Sequence, residues 1–243
     1  MDLSTRLEAI CKLAGSGKSL CDVGCDHGYV CINMVTSGKY KHAIAMDIGE
    51  GPLSMANANI ISAGLKSKIE TRQSDGLKNI EADEADCVII AGMGGPLVIK
   101  ILEDSIYKAK NIGRLILQPQ SEIPKVRAYI RTHGFVIEDE DMVLDDGKFY
   151  PMFRTRYTGE VIKPNQDEDI YDTYGRHLLV KKNMVLKEYL DKEKDSYQKI
   201  KSDIESRLAE VSDGKKEKLL SRIGEIDKVL SLNERAQKYY TEV

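Results

Sequence analysis

Ser19-Leu-Cys-Asp-Val-Gly-Cys-Asp-His-Gly-Tyr-Val30 reads as a buried strand that runs through a glycine-bearing turn into a helix. Gly24 lets the backbone turn tightly off the strand, and Gly28 lets the helix approach. Outward from this stretch, short apolar runs alternate with amphipathic ones as far as residue ~160. The pattern predicts strands at Ser19–Val23, His42–Asp47, Ile69–Gln73, Cys87–Ala91, Arg114–Leu117, Phe135–Met142 and Phe149–Tyr157. It predicts helices at Val30–Ser37, Pro52–Ala63, Pro96–Ala109 and Ile123–His133. Such alternation argues for βαβ units and a mostly parallel sheet. Runs such as CVIIAG and RLILQ suit central strands covered on both faces. Leu144-Asp-Asp-Gly-Lys148 is a turn sequence, so the last two strands should form an antiparallel hairpin at one edge.

Composition sets limits around that core. Of 243 residues, 42% are hydrophobic and 31% charged, enough apolar matter for a packed interior. The net charge of −3 does not suggest a binder that relies on a dominant basic surface. No apolar run approaches the ~18 residues of a spanning helix, and the N-terminus lacks the basic-then-apolar order of a signal peptide. A cytoplasmic protein is expected. Five cysteines, an odd number in a chain this long, do not suggest a disulfide framework. Cys21, Cys25 and Cys31 lack the spacing of a zinc knuckle, so no metal site is expected. Gly15-Ser-Gly-Lys-Ser19 resembles a phosphate loop only superficially, since Lys12 stands where its first glycine belongs.

After the polar linker Val161-Ile-Lys-Pro-Asn-Gln-Asp-Glu-Asp169 the pattern changes. Leu186, Tyr189, Tyr197, Ile200, Ile204, Leu208 and Val211 recur at steps of three and four, interrupted at Glu193. Beyond a Ser212-Asp213-Gly214 turn, Leu219, Ile223, Ile226, Leu230 and Ala236 resume the stripe. Two helices in an antiparallel, coiled-coil-like hairpin are expected. Residues 176–243 hold 16 basic and 13 acidic side chains, net +3; the preceding 175 hold 20 and 26, net −6. The hairpin's mixed charge suits a solvated face, an oligomerisation element or a surface for a polyanion.

The first turn carries chemistry as well as fold. It fails the dinucleotide pattern G-x-G-x-x-G, because Asp26 takes the second glycine position. It fits instead the Asp/Glu-x-G-x-x-x-G loop of S-adenosylmethionine-dependent methyltransferases, running from Asp22 to Gly28. That loop cradles the methionyl part of the cofactor. Asp47 ends the second strand about 20 residues later, where an acid accepts both ribose hydroxyls of a nucleoside. Asp75-Gly76 follows the third strand, placed for the adenine amino group. Ala91-Gly-Met-Gly-Gly-Pro96 closes the fourth. All lie at the carboxyl ends of strands, where open α/β sheets bind ligands. His27 stands open between a base, a ligand and a polar loop residue.

Asp22-Val-Gly-Cys-Asp-His-Gly-Tyr29, Asp47 with Gly51-Pro52, Ser74-Asp-Gly-Leu77, Ile90-Ala-Gly-Met-Gly-Gly95 and Leu115-Ile-Leu-Gln-Pro119 occur in that order. Together with Ser4-Thr-Arg-Leu7 and the helical hairpin, they resemble the bacterial tRNA (adenine-22-N1)-methyltransferases over nearly the whole chain. The family continues Leu-Gln-Pro with Asn, where this chain has Gln120. The resemblance implies a Rossmann-like methyltransferase domain over residues 1–162 and a helical domain over 163–243. It implies S-adenosyl-L-methionine as cofactor, no metal, tRNA as partner and no membrane; the sequence leaves the oligomeric state open, with a monomer slightly favoured.

The resemblance also implies a site. The cofactor would meet Asp22, Gly24, Cys25, Asp26, Gly28, Tyr29, Asp47, Ile48, Gly51, Pro52, Ser74, Asp75, Gly76, Ala91, Gly92 and Met93. The substrate would meet Arg6, Gly94, Gly95, Gln118 and Gln120. Adenine N1 has an in-plane lone pair, so no base is needed to create the nucleophile, and the product is a cation. The work left is in-line alignment and support for positive charge spreading to N6. Asp26 is expected to accept from N6, with His27 positioning. A paired base must first be flipped out. Tyr29 and Tyr150 are candidate stacking partners. Arg6, Arg127, Arg131 and the hairpin lysines are candidates for phosphate. A methyltransferase for another substrate and a non-catalytic nucleoside-binding scaffold are the alternative readings.

Overall fold

The computed structural model of the chain describes residues 3–81, 83–163, 166–208 and 213–241. They belong to two compact units, Met1–Pro164 and Asn165–Val243. In the first, the chain runs α1 (Thr5–Ala14), β1 (Gly17–Val23), α2 (Tyr29–Thr36), β2 (Tyr40–Asp47), α3 (Glu50–Ser62) and β3 (Ile69–Gln73). It continues with β4 (Cys87–Met93), α4 (Gly95–Asp104), α5 (Ile106–Asn111), β5 (Arg114–Pro119), α6 (Ile123–Thr132), β6 (Phe135–Asp145) and β7 (Lys148–Tyr157).

Among the described residues seven strands form one sheet, in the order β3-β2-β1-β4-β5-β7-β6. β1 to β5 are mutually parallel, while β7 runs antiparallel to both β5 and β6. Residues 135–157 therefore make the antiparallel edge hairpin that the turn sequence predicts. Because strand side chains alternate between faces, successive residues feed different cores. Leu20, Ile89 and Ile116 join one apolar cluster with residues of α1 and α2. Cys21, Ile90 and Leu117 join the other with residues of α4 and α6. Helices on both faces explain why the central strands are continuously apolar.

The structure departs from the sequence reading in its helices. The helix expected over Pro96–Ala109 breaks at Ser105, whose φ of −132° and ψ of 33° are not helical, giving α4 and α5. α1 was not expected. Ser4 caps it, accepting from Leu7 N, and Gly15 ends it. Ile10, Leu13 and Ala14 are buried at helical spacing.

The second unit contains α7 (Glu168–Tyr174), α8 (Arg176–Val180), α9 (Met184–Arg207) and α10 (Asp213–Thr241). α7 and α8 were also not expected. Tyr240 Oη donates to Asn183 O at 2.8 Å, and Lys201 pairs with Asp227 at 2.6 Å. The start of α9 thus meets the end of α10, which makes the pair an antiparallel hairpin. The predicted stripe is buried at Leu186, Ile226 and Ala236, while Ile200 is exposed. Val211 and Ser212 lie outside the described residues. No described helix is long and apolar enough to cross a membrane.

Candidate active site

β1 and β4 are neighbours, with β2 and β5 outside them, so the strand order reverses between them. A crevice opens at the carboxyl end of such a switch point. The loop after β1 is fastened there by its backbone: Gly24 N and Cys25 N donate to Met46 O at 2.8 and 3.0 Å. Asn59 Nδ2 of α3 donates to His27 O at 3.0 Å. Gly28 starts α2 with φ of +72°, and a Cβ there would stand 3.2 Å from that of Ala56. Only glycine meets both demands without strain.

A cleft of about 100 Å³ is lined by Arg6, Asp22, Gly24, Cys25, Asp26, His27 and Tyr29, among others. Asp22 is 6% exposed. Among the described residues its carboxylate has no hydrogen-bond partner. Burial, with the Asp47 charge adding to it and Arg6 opposing, pushes its carboxyl up to about 7. Asp26 takes a left-handed φ of 48° and stands largely in solvent, 3.5 Å from His27 Nε2. The His27 ring stacks on Tyr29 with centroids 5.2 Å apart, and its Nδ1 is buried without a partner among the described residues.

At the end of β2, Asp47 Oδ1 accepts from Gly49 N at 2.9 Å, while the next side chain, Ile48, is 65% exposed. An apolar side chain held in the open beside a half-buried carboxylate suits the face of a nucleoside base. Gly51 and Pro52 fall in the first turn of α3. Asp75 is exposed, and the hydrogen bond and charge of Lys78 hold its carboxyl below the usual range. Gly76 is buried under Ile101. Ala91, Gly92 and Met93 end β4 around an irregularity in its pairing with β5.

Several expected contact residues prove to be internal supports. Ser74 is buried: its hydroxyl donates to Gly76 O at 2.8 Å and accepts from Asn79 N at 3.1 Å. Gly95 is also buried, and its N–H donates to Ser121 O at 3.1 Å. A Cβ there would come within 2.4 Å of that oxygen, so close backbone packing explains this glycine. Gly94 is the cap of α4. Gln118 is fully buried, with Oε1 accepting from Arg6 Nη1 at 2.9 Å and Gly92 N at 3.2 Å, and Nε2 donating to Pro119 O. Gln120, two residues on, is exposed, and its side-chain amide has no partner among the described residues.

The phosphate candidates divide in the same way. Arg127 is 3% exposed and paired with buried Glu140 at 2.9 Å, which removes it from any phosphate surface. Arg131 donates to Ile162 O at 3.2 Å. Arg6 lines the first cleft because α1 carries it there, its backbone N–H held by Asp145 at 3.0 Å. Its guanidinium lies 5.5 Å over the Tyr150 ring. Ser4 and the spaced apolar residues of 7–14 are the signal that could have revealed that helix. All five cysteines are buried and free. Burial pushes the thiols of Cys11 and Cys87 up to about 12, which keeps them protonated and poor metal ligands. Among the described residues no cluster of His, Cys, Asp or Glu could hold a metal ion.

A parallel sheet with acids at the ends of β1 and β2 and a glycine-bearing loop between is the architecture of a methyltransferase. Residues 3–153 match the methyltransferase domain family. The tRNA (adenine(22)-N(1))-methyltransferase of Bacillus subtilis is 37% identical over 150 residues, 62% of this chain and 63% of that enzyme. The crystal structure of the Bacillus subtilis m1A22 tRNA methyltransferase TrmK has a TM-score of 0.80 at 29% identity, covering 97% of this chain and 98% of that one. A Streptococcus pneumoniae protein solved in complex with S-adenosyl-L-methionine has a TM-score of 0.75 at 32% identity, covering 94% of this chain and 100% of that one. The chain belongs to the tRNA (adenine-22-N1)-methyltransferase family, and its fold is the family's Rossmann-like methyltransferase fold with a C-terminal helical hairpin. It is an S-adenosylmethionine-dependent enzyme.

Proposed function

We propose that the chain methylates N1 of adenine 22 in the D-arm of tRNA, and that it does so in the cytoplasm. The observation that carries this reading is Asp22, a buried carboxylate without a partner among the described residues, facing the cleft where a cationic cofactor would supply the missing one. When bound, the cofactor supplies a methyl group on a positively charged sulfur, and its transfer to the N1 lone pair moves that charge to adenine without moving a proton.

The chain's own residues hold and orient. Asp22 answers the cofactor's positive end; Asp47 takes the ribose hydroxyls with the oxygen that Gly49 leaves free. Ile48 covers the cofactor's adenine face and Asp75 accepts from its amino group. The backbone of Gly24, Cys25, Ala91, Gly92 and Met93 forms the wall. Asp26, in solvent until substrate arrives, accepts from N6 of the target base and offsets its developing charge. His27 holds Asp26 in place. Residues 1–162 carry this chemistry, and residues 163–243 contact the body of the tRNA. Incubating the protein with labelled cofactor and unmodified tRNA, then locating the modified nucleoside, tests the reading. Label at N1 of adenine 22 is expected; label elsewhere, or none, overturns it.

A further inference from the structure

A second cleft of about 320 Å³ opens between the end of β5 and the β6–β7 turn, bounded by Gln120, Ile123, Lys148, Phe149 and Tyr150. Strand direction puts it beside the first. β7 is antiparallel to β5, with Leu117 opposite Phe153, so the beginning of β7 lies alongside the carboxyl end of β5. The turn that precedes β7 is tight, with Asp146 and Gly147 both at positive φ, and it presents Lys148 and Phe149 at that same edge. The pleat separates the two aromatics. Tyr150 has the parity of Met152 and packs on the α1 side, whereas Phe149 has the parity of Phe153, on the side of α6.

Arg6 joins the two clefts. It lines the first, and it lies over the ring of Tyr150, which lines the second. Arg6 lies over the Tyr150 ring, and His27 stacks on Tyr29. The second cleft is bounded by the Phe149 ring, the apolar Ile123, the side-chain amide of Gln120, which has no partner among the described residues, and Lys148. Those are the groups a splayed nucleotide needs: a ring to stack on, an edge to hydrogen-bond and a charge for its phosphate.

We propose that this second cleft seats the flipped target adenine, with Phe149 as its stacking face and Lys148 on its phosphate. Gln120 reads the N6/N7 edge, the bidentate match of a glutamine to adenine. That leaves N1 and the other N6 hydrogen facing the cofactor and Asp26. The proposal rests on the tRNA-methylating reading above and adds to it the residues that select the base.

The test uses the full chain and unmodified tRNA transcripts. Phe149→Ala should lower kcat/KM for tRNA by roughly 5- to 150-fold, the equivalent of one base–aromatic stack. Cofactor affinity by calorimetry should stay at the wild-type value, which also reports that the variant folds. Phe149→Tyr, which keeps the ring, should recover most of the loss. With 7-deazaadenosine at position 22 the wild type should lose activity for want of the N7 acceptor, and Gln120→Ala should lose nothing further from that change. A wild-type enzyme that leaves adenine 22 unmethylated overturns the tRNA reading and the base pocket with it. A wild type that methylates adenine 22 alongside a fully active Phe149→Ala overturns the pocket alone. So does a further loss from 7-deazaadenosine in Gln120→Ala.

Discussion

Arg6 Nη1 donates to Gln118 Oε1 at 2.9 Å, across 112 positions of chain, and ties the first helix to the fifth strand at the floor of the site. The same guanidinium is the cation that opposes the rise in the Asp22 pKa. With Asp22 titrating near 7, it is protonated in the empty site at lower pH and charged at higher pH. Only the charged form attracts a cationic cofactor. Affinity for S-adenosylmethionine should therefore climb as pH rises towards 7 and level off above it. Asp22→Asn should flatten the profile at low affinity, and Arg6→Ala should move the bend to higher pH. Calorimetry from pH 5.5 to 8.5 checks all three; a flat wild-type profile removes Asp22 from the cofactor site. Stability should show the opposite sign. A carboxyl whose folded pKa lies above its unfolded 3.8 contributes stability at low pH that is lost as pH rises to about 7. The unliganded Asp22→Asn protein should melt higher than wild type at pH 8, with the gap closing towards pH 4.

Asp47 should separate binding from folding. Its free carboxylate oxygen is assigned to the ribose hydroxyls, a charge-assisted pair worth roughly 1.5–3 kcal/mol. Asp47→Ala should weaken cofactor binding by about 10- to 100-fold. The melting temperature should change little, because among the described residues the side chain's one hydrogen bond is a local turn to Gly49. Unchanged affinity would take Asp47 out of the site.

Asp26 tests the chemistry itself. Asp26→Asn keeps the size and the hydrogen-bonding capacity but removes the charge proposed to offset the methylated, cationic base. Turnover should fall on the order of 10²-fold or more, the loss seen when one preorganised electrostatic group is removed. Cofactor affinity should suffer less than in Asp47→Ala. If turnover stays near wild type while only cofactor binding weakens, Asp26 is a binding residue and not a catalytic one.

The strands were readable because period-two patterning and full burial leave few alternatives: Ile69–Gln73 matches β3 end to end, and the other six are found with extended ends. The acids at strand ends were equally open to inspection, since position after a strand fixes position in the crevice. What a linear pattern cannot convey is whether a polar side chain is spent internally. Gln118 and Gln120 look alike in sequence, yet one is a buried strut and the other stands free, because successive same-parity positions straddle the point where β5 leaves the sheet. Arg127 looked like a phosphate ligand because nothing nearby in sequence announces Glu140, thirteen residues away on β6. The second cleft was hidden for the same reason: its walls come from two sequence regions joined only by an antiparallel register.

Glu193 shows what an interruption in an apolar stripe can mean. Its carboxylate accepts from Tyr174 Oη at 2.6 Å, Tyr189 Oη at 3.0 Å and Asn233 Nδ2 at 2.9 Å. Asn233, fully buried on α10, also donates to Leu190 O and accepts from Gln237, so its amide is satisfied. A satisfied polar pair between two helices fixes their register, as a buried polar residue does in a coiled coil. Glu193→Ala would remove the acceptor of a buried amide hydrogen and of the buried Tyr174 phenol, at about 1–3 kcal/mol for each group left truly buried. The second unit should melt at lower temperature while cofactor affinity is unchanged. A variant as stable as wild type would show that water replaces the carboxylate without cost.

The helical unit should prove necessary for tRNA and dispensable for the cofactor. Both apolar cores of the sheet are built from residues that precede 158, so a chain ending at Lys163 keeps them whole. It also keeps every residue of both clefts. It should fold and bind S-adenosylmethionine as the full chain does. What it loses is the part of the chain whose charge favours RNA: residues 176–243 carry net +3, whereas the first 175 carry net −6. α10 alone, at 29 residues, is about 44 Å long, enough to follow several phosphates. The truncated protein should therefore methylate whole tRNA poorly. The full chain's tRNA affinity should fall steeply with salt, by about 0.7–0.9 in log–log slope for each phosphate contacted. A helical unit that only solvates or joins copies of the chain would leave tRNA affinity and salt slope unchanged on truncation. It would alter at most the mass in solution, and that result would assign tRNA recognition to the sheet unit alone.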